Sequence, residues 1–174
     1  MNRVLTHWNA LPSDEAAKEI FSCCGSRAWA ACLAGKRPFA DEQTLFAAAD
    51  DCWQKLPEAD WLEAFRSHPR IGEQHAEKQT TAASAAWSRS EQSQMSEADD
   101  AILLRMREGH RQYEERFGRI FIVCASGKRP AEMLSILERR LANDPAQELL
   151  EAAAQQQQIM QLRLRKWLAQ TEAA

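Results

Sequence analysis

The first place in this chain where chemistry could reside is His68, which is followed directly by Pro69. Proline confines the residue before it to extended backbone, so the imidazole would leave a helix end in a fixed direction. Histidine exchanges a proton near neutral pH, which suits acid–base work. A plainer reading stays open: a surface histidine closing a helix, its charge meeting the helix dipole. His7, His75 and His110 offer less. His110 reads as a packed or half-exposed helix residue, and the other two as loop residues.

A second group is Ser88-Arg89-Ser90-Glu91-Gln92. In a helix, Ser88, Glu91 and Gln92 stand at i, i+3 and i+4 and share one face. A hydroxyl, a carboxylate and an amide together could orient a polar heterocycle or tune a neighbouring imidazole. Ser-x-x-Glu is also a capping box, which is the structural alternative. A third is the apolar run Phe121-Ile122-Val123-Cys124-Ala125 after Gly118-Arg119-Ile120. If extended, its backbone N–H and C=O groups need partners, and a ligand rich in amide-like groups would supply them. A core strand or core helical turn explains the same residues. Last is Arg163, between Leu162 and Leu164. Its fork of donors suits a carboxylate, while snorkelling to solvent is the alternative.

The elements that must position these residues read as helices. The first is expected after Leu11-Pro12, with Ser13 as its cap and Asp14 and Glu15 in its first turn. A second covers about 26–34 and stops at Gly35; Asp41 caps a third, which Pro57 ends. A short helix over about 60–66 leads into His68. The polar, alanine-rich stretch 73–90 reads as loop then helix, and a long helix runs over about 96–117 to Gly118. Asp144-Pro145-Ala146-Gln147 is a strong helix start, with a buried stripe of Leu149, Ala153, Met160, Leu164, Trp167 and Leu168 beyond it. Gly-Lys-Arg-Pro occurs at Gly35 and again at Gly127, as repeated turn chemistry. No linker marks a boundary, so one domain over 1–174 is expected: an all-α, compact single-domain helical bundle with a short extended apolar segment near 120–125.

Composition narrows the classes. The chain has 174 residues, 27% charged and 45% hydrophobic, which is long enough to bury a core without staples. A net charge of −3 without a long basic run argues against nucleic-acid binding. The five cysteines are irregularly spaced, form no CxxC pair and have no histidine at zinc-ligand spacing. They read as buried reduced thiols of a cytoplasmic protein, with no metal site. No apolar stretch approaches a membrane span, and neither a secretory leader nor a peroxisomal address is visible.

Taken in order, these motifs resemble those of one family. Phe65-Arg66-Ser67-His68-Pro69-Arg70-Ile71-Gly72, then Ser88-x-x-Glu91-Gln92, then Tyr113-x-x-x-Phe117-Gly118-x-x-Phe121-Ile122, with Asn9, Leu11 and Arg37-Pro38-Phe39 earlier, are similar to segments of the 2-oxo-4-hydroxy-4-carboxy-5-ureidoimidazoline (OHCU) decarboxylases. The similarity runs from about Asn9 to Trp167. It implies a compact all-helical fold, no metal or organic cofactor, a small-molecule substrate and a homodimer. It also implies the last step from urate to (S)-allantoin. By this resemblance His68 is the catalytic acid/base and Glu91 its partner. Pro69, Ser88, Arg89, Ser90, Gln92 and Phe121, Ile122, Val123, Cys124 and Ala125 would line the substrate, and Arg163 would clamp it. The rival from another class is a non-catalytic helical interaction module.

Overall fold

Proline, glycine and side-chain caps cut the chain into helices. The computed structural model describes residues 2–71, 81–91, 93 and 98–170. Among these it holds nine helices and no strand. They are α1 (Arg3–Ala10), α2 (Ser13–Cys24), α3 (Arg27–Gly35), α4 (Glu42–Gln54), α5 (Glu58–Arg66), α6 (Ala82–Glu91), α7 (Asp100–Phe117), α8 (Pro130–Arg140) and α9 (Pro145–Leu168). Two were not expected. Asn2 caps α1 by accepting from Val4 N–H at 2.9 Å, and Pro130 opens α8 at the position where a missing N–H costs nothing. Ser13 is the first residue of α2, not its cap, and Pro12 precedes it. Ser26, Asp41 and Asp99 do cap α3, α4 and α7. Gly25 and Gly118 close α2 and α7 at φ 84° and 67°, a left-handed turn that a side chain would strain.

The chain divides into two compact units, 1–64 with 157–174, and 65–156. The first is built around tryptophan. Trp8, Trp29 and Trp53 are buried, and an indole N–H in such a place needs an acceptor. Trp8 donates to Ala16 C=O at 2.9 Å, Trp29 to Ala49 C=O at 3.0 Å and Trp167 to the Glu19 carboxylate at 3.1 Å. Trp8 and Trp167 meet edge-to-face at 5.5 Å. A disulfide joins Cys32 of α3 to Cys52 of α4, with Cα atoms 6.0 Å apart. This corrects the expectation of five reduced thiols. Irregular spacing hid the pair because only helix packing brings positions 20 residues apart together. Cys23, Cys24 and Cys124 are free and buried.

The second unit packs Met106 and Tyr113 of α7 against Met133, Leu134 and Leu137 of α8, with Ile71, Phe121, Val123 and Ala125 in the same cluster. Gly109 permits the close approach of α7 to α8: a Cβ there would lie 2.7 Å from Leu137 Cδ2. Residues 120–125 lie in no helix, and 121–125 are buried, as the apolar run predicted. The two Gly-Lys-Arg-Pro turns differ in use. Arg37 holds the C=O groups of Trp8, Leu11 and Ala34 beside a cis Arg37–Pro38 bond, whereas Lys128 holds Cys124 C=O.

Candidate active site

His68 sits just past the end of α5. Its N–H donates to Phe65 C=O at 3.2 Å, which tightens the last turn. The residue is 8% exposed, beside buried Phe65 and Ser67, so the surface-cap alternative does not describe it. Pro69 follows half-buried. Arg70, next along, is tied to α7 by a two-pronged bond to Glu114, Nη2 to Oε2 at 2.8 Å. The Arg70 guanidinium holds the Glu114 carboxyl below its ordinary range, and the charge of His110 acts in the same direction. His110, set aside in the sequence, is a second buried imidazole, its ring 6.0 Å from that of Phe121.

Helix α6 presents the second group. Thr81 caps it, accepting from Ser84 N–H at 3.1 Å. Ser88 therefore lies inside the helix and is not a cap. Ser84 and Ser88, one turn apart, are buried, and Glu91 is half-buried. Arg89 and Ser90 are exposed, because they fall on the opposite side of the turn. Gln92 and His75 lie outside the described residues.

The segment 121–125 has its backbone held piecewise. Arg140 Nη1 donates to Ile122 C=O at 2.7 Å. Cys124 N–H donates to Gln155 Oε1 at 2.9 Å, and Lys128 Nζ to Cys124 C=O at 2.6 Å. Among the described residues, the N–H and C=O of Val123 have no hydrogen-bond partner, although Val123 is only 4% exposed. The N–H and C=O of Phe121, 3% exposed, likewise have no partner among the described residues, so the segment carries more than one buried donor–acceptor pair.

Sequence reasoning missed Arg140 and Glu148. Both are fully buried and paired, Nε to Oε1 at 3.0 Å and Nε to Oε2 at 3.2 Å. The Glu148 carboxylate also accepts from the Tyr113 hydroxyl and from Asn143 Nδ2, the latter at 2.8 Å. Burial pushes the Tyr113 phenol well up, and its bond to Glu148 adds to the effect, so it stays a donor. The signal was present in the register: Arg140 continues the buried Met133, Leu137 row of α8 one turn on. Arg163 belongs to the first unit. It is fully buried rather than snorkelling, and its charge opposes the upward push that burial gives the Cys23 thiol.

The second unit thus carries a buried histidine followed by a proline, a serine–glutamate helix face and a buried apolar segment outside the helices. Those residue types are able to do acid–base chemistry on a small polar ligand. Residues 9–165 match the family model described as OHCU decarboxylase. The chain belongs to the OHCU decarboxylase family, a family of carboxy-lyases. It is 37% identical over 145 residues to the uric acid degradation bifunctional protein TTL of Arabidopsis thaliana, covering 83% of this chain and 44% of that protein. It is 37% identical over 139 residues to the 2-oxo-4-hydroxy-4-carboxy-5-ureidoimidazoline decarboxylase of Amia calva, covering 78% of this chain and 77% of that one. A crystal structure of OHCU decarboxylase in the presence of (S)-allantoin matches with a TM-score of 0.75 at 35% identity, covering 87% of this chain and 98% of that one. A crystal structure of (S)-allantoin synthase matches in fold, with a TM-score of 0.70 at 20% identity, covering 94% of this chain and 53% of that one. The chain therefore spans less than half of the Arabidopsis thaliana protein and about three quarters of the Amia calva one.

Proposed function

We propose that this chain converts OHCU to (S)-allantoin and CO2 in urate degradation, with His68 moving the proton that fixes the product's hand. The observation that carries the reading is the buried segment 121–125, whose Val123 N–H and C=O have no protein partner among the described residues, in the same unit as the buried His68. A donor and an acceptor on one residue match the N–H and C=O of a ureido or ring-amide group.

The substrate's own bonds define the task. One ring carbon bears a carboxylate and a hydroxyl, and its neighbour is part of a C=N bond. When the C–CO2 bond breaks, its electron pair forms a C=C bond to the neighbour, and the imine nitrogen takes a proton. The hydroxyl then loses its proton and becomes the carbonyl, while the neighbouring carbon gains a proton on one face. In sum, one proton enters and one CO2 leaves. The substrate's π system accepts the electrons, so the protein must bind, orient and protonate. In this reading His68 delivers the proton to one face, and Glu91 fixes its tautomer or holds the substrate. Pro69, Ser88 and 121–125 line the ring, with Gln92 beside them. Arg89 and Ser90, exposed on α6, contribute least.

The same reading treats 1–174 as one domain, since the family match crosses both units. It makes the active form a homodimer. It places the chain in the cytoplasm; no described helix is long and apolar enough to cross a membrane. The test is CO2 release from freshly generated OHCU, with allantoin handedness followed by circular dichroism. Stereospecific release faster than the spontaneous reaction is expected, and Glu91→Gln lowers kcat by about 10²-fold. Release no faster than the spontaneous rate overturns the function; an unchanged kcat in Glu91→Gln overturns the role of Glu91.

A further inference from the structure

Resting on that reading of the 121–125 segment, we propose that Arg140 and Gln155 are positioning residues that aim the Val123 donor–acceptor pair at the substrate. The argument is one of peptide geometry. Ile122 C=O and Val123 N–H belong to one planar peptide group, and Val123 C=O and Cys124 N–H belong to the next. Among the described residues the only cis bond precedes Pro38, so both groups are trans. In a trans peptide the C=O and N–H point in opposite directions. Arg140 grips the first plane by its oxygen at 2.7 Å. Gln155 grips the second by its N–H at 2.9 Å. Each grip turns the other end of its plane away, and those two ends are the N–H and the C=O of Val123. Val123 N–H and C=O, which have no protein partner among the described residues, are thus the two groups whose direction Arg140 and Gln155 dictate; the N–H and C=O of Phe121 are likewise without one but are gripped by neither residue.

The rest of the cluster makes the grip stiff. The Arg140 guanidinium lies 4.6 Å from the centre of the Phe121 ring, so the residue before the gripped plane is held as well. Glu148 fixes the guanidinium from behind. The carboxylate is itself saturated by Tyr113 and Asn143. A cation on Ile122 C=O also draws electron density across the amide, which makes Val123 N–H a better donor. Stability alone does not explain the arrangement. A buried ion pair can often be replaced by apolar residues of similar volume without loss of stability.

That property supplies the experiment. The double variant Arg140→Met/Glu148→Leu removes both buried charges together, leaving none unpaired. It is expected to stay folded by circular dichroism, with a lower melting temperature from the orphaned Tyr113 hydroxyl and Ile122 C=O, yet to lose about a hundredfold in kcat/KM on OHCU, the scale of a misplacement near 1 Å. Gln155→Leu removes the acceptor for Cys124 N–H and is expected to raise KM about tenfold, whereas Gln155→Glu keeps a carbonyl-type oxygen there and recovers most of that loss. A folded double variant with kcat and KM near the parent's overturns the proposal. So does equal impairment of Gln155→Leu and Gln155→Glu, the pattern of a merely structural residue. If the double variant does not fold, the Gln155 pair decides by the same criteria. A parent protein inactive on OHCU overturns this inference together with the functional reading; an active parent with indifferent variants overturns this inference alone.

Discussion

Val123 shows how one residue can carry function through its backbone while its side chain serves the core. Its isopropyl group belongs to the cluster of Met106, Tyr113 and Leu137, and its own N–H and C=O have no partner among the described residues. Gly109 is the matching case for packing: its missing side chain sets how near α7 and α8 can come. A Gly109→Val change gains helix propensity over glycine but drives methyl groups into Leu137. Overpacking is the larger effect, so a net loss of about 1–3 kcal/mol is expected, measured as a lower urea midpoint. A midpoint at or above the parent's would show that α8 yields freely there.

At the scale of elements, the turn that carries His68 depends on an ion pair. Arg70, two residues on, reaches Glu114 of α7. Because the folded Glu114 carboxyl is held below its ordinary value of 4.5, its contribution is present at neutral pH. It is lost as pH falls below 4.5 and through the lowered folded value. His110 faces the same carboxylate and reinforces it when charged. A plot of melting temperature against pH should show Glu114→Gln less stable than the parent at neutral pH, with the two curves converging in acid. Curves that stay parallel to low pH would remove the pair from the account. Much at this scale was legible. Asp41, Asp144, Gly25, Gly118 and the 121–125 run announced themselves by residue type. Helices α1 and α8 did not. One is only 8 residues long, and the other follows a turn whose Gly-Lys-Arg-Pro composition resembled loop. The pairs Arg140–Glu148 and Cys32–Cys52 were also hidden, because each needs two helices packed before its partners meet.

At the scale of the whole molecule, the covalent staple and the candidate chemistry fall in different units. Cys32–Cys52 lies in the first unit, and His68, Glu91 and 121–125 in the second. Closing a loop of 20 residues stabilises by about 3 kcal/mol in the chain-entropy picture. Reduction is therefore expected to lower the melting temperature and leave kcat/KM on OHCU unchanged. A loss of kcat/KM in the still-folded reduced protein would tie the staple to the site. The residues of the proposed site stood out by type and spacing: His68-Pro69, Ser88-x-x-Glu91 and the apolar run. What spacing could not supply was direction, since it cannot reveal which peptide groups Arg140 and Gln155 would hold.

The central claim is that His68 delivers the proton that sets the configuration of the product. It is tested most directly by giving freshly generated OHCU to His68→Asn, a variant close in size and unable to act as an acid–base at neutral pH. Allantoin handedness is followed as it forms. The account predicts decarboxylation near the spontaneous rate and a racemic product, against rapid formation of the (S) form by the parent. Rapid, stereospecific turnover by folded His68→Asn would contradict it.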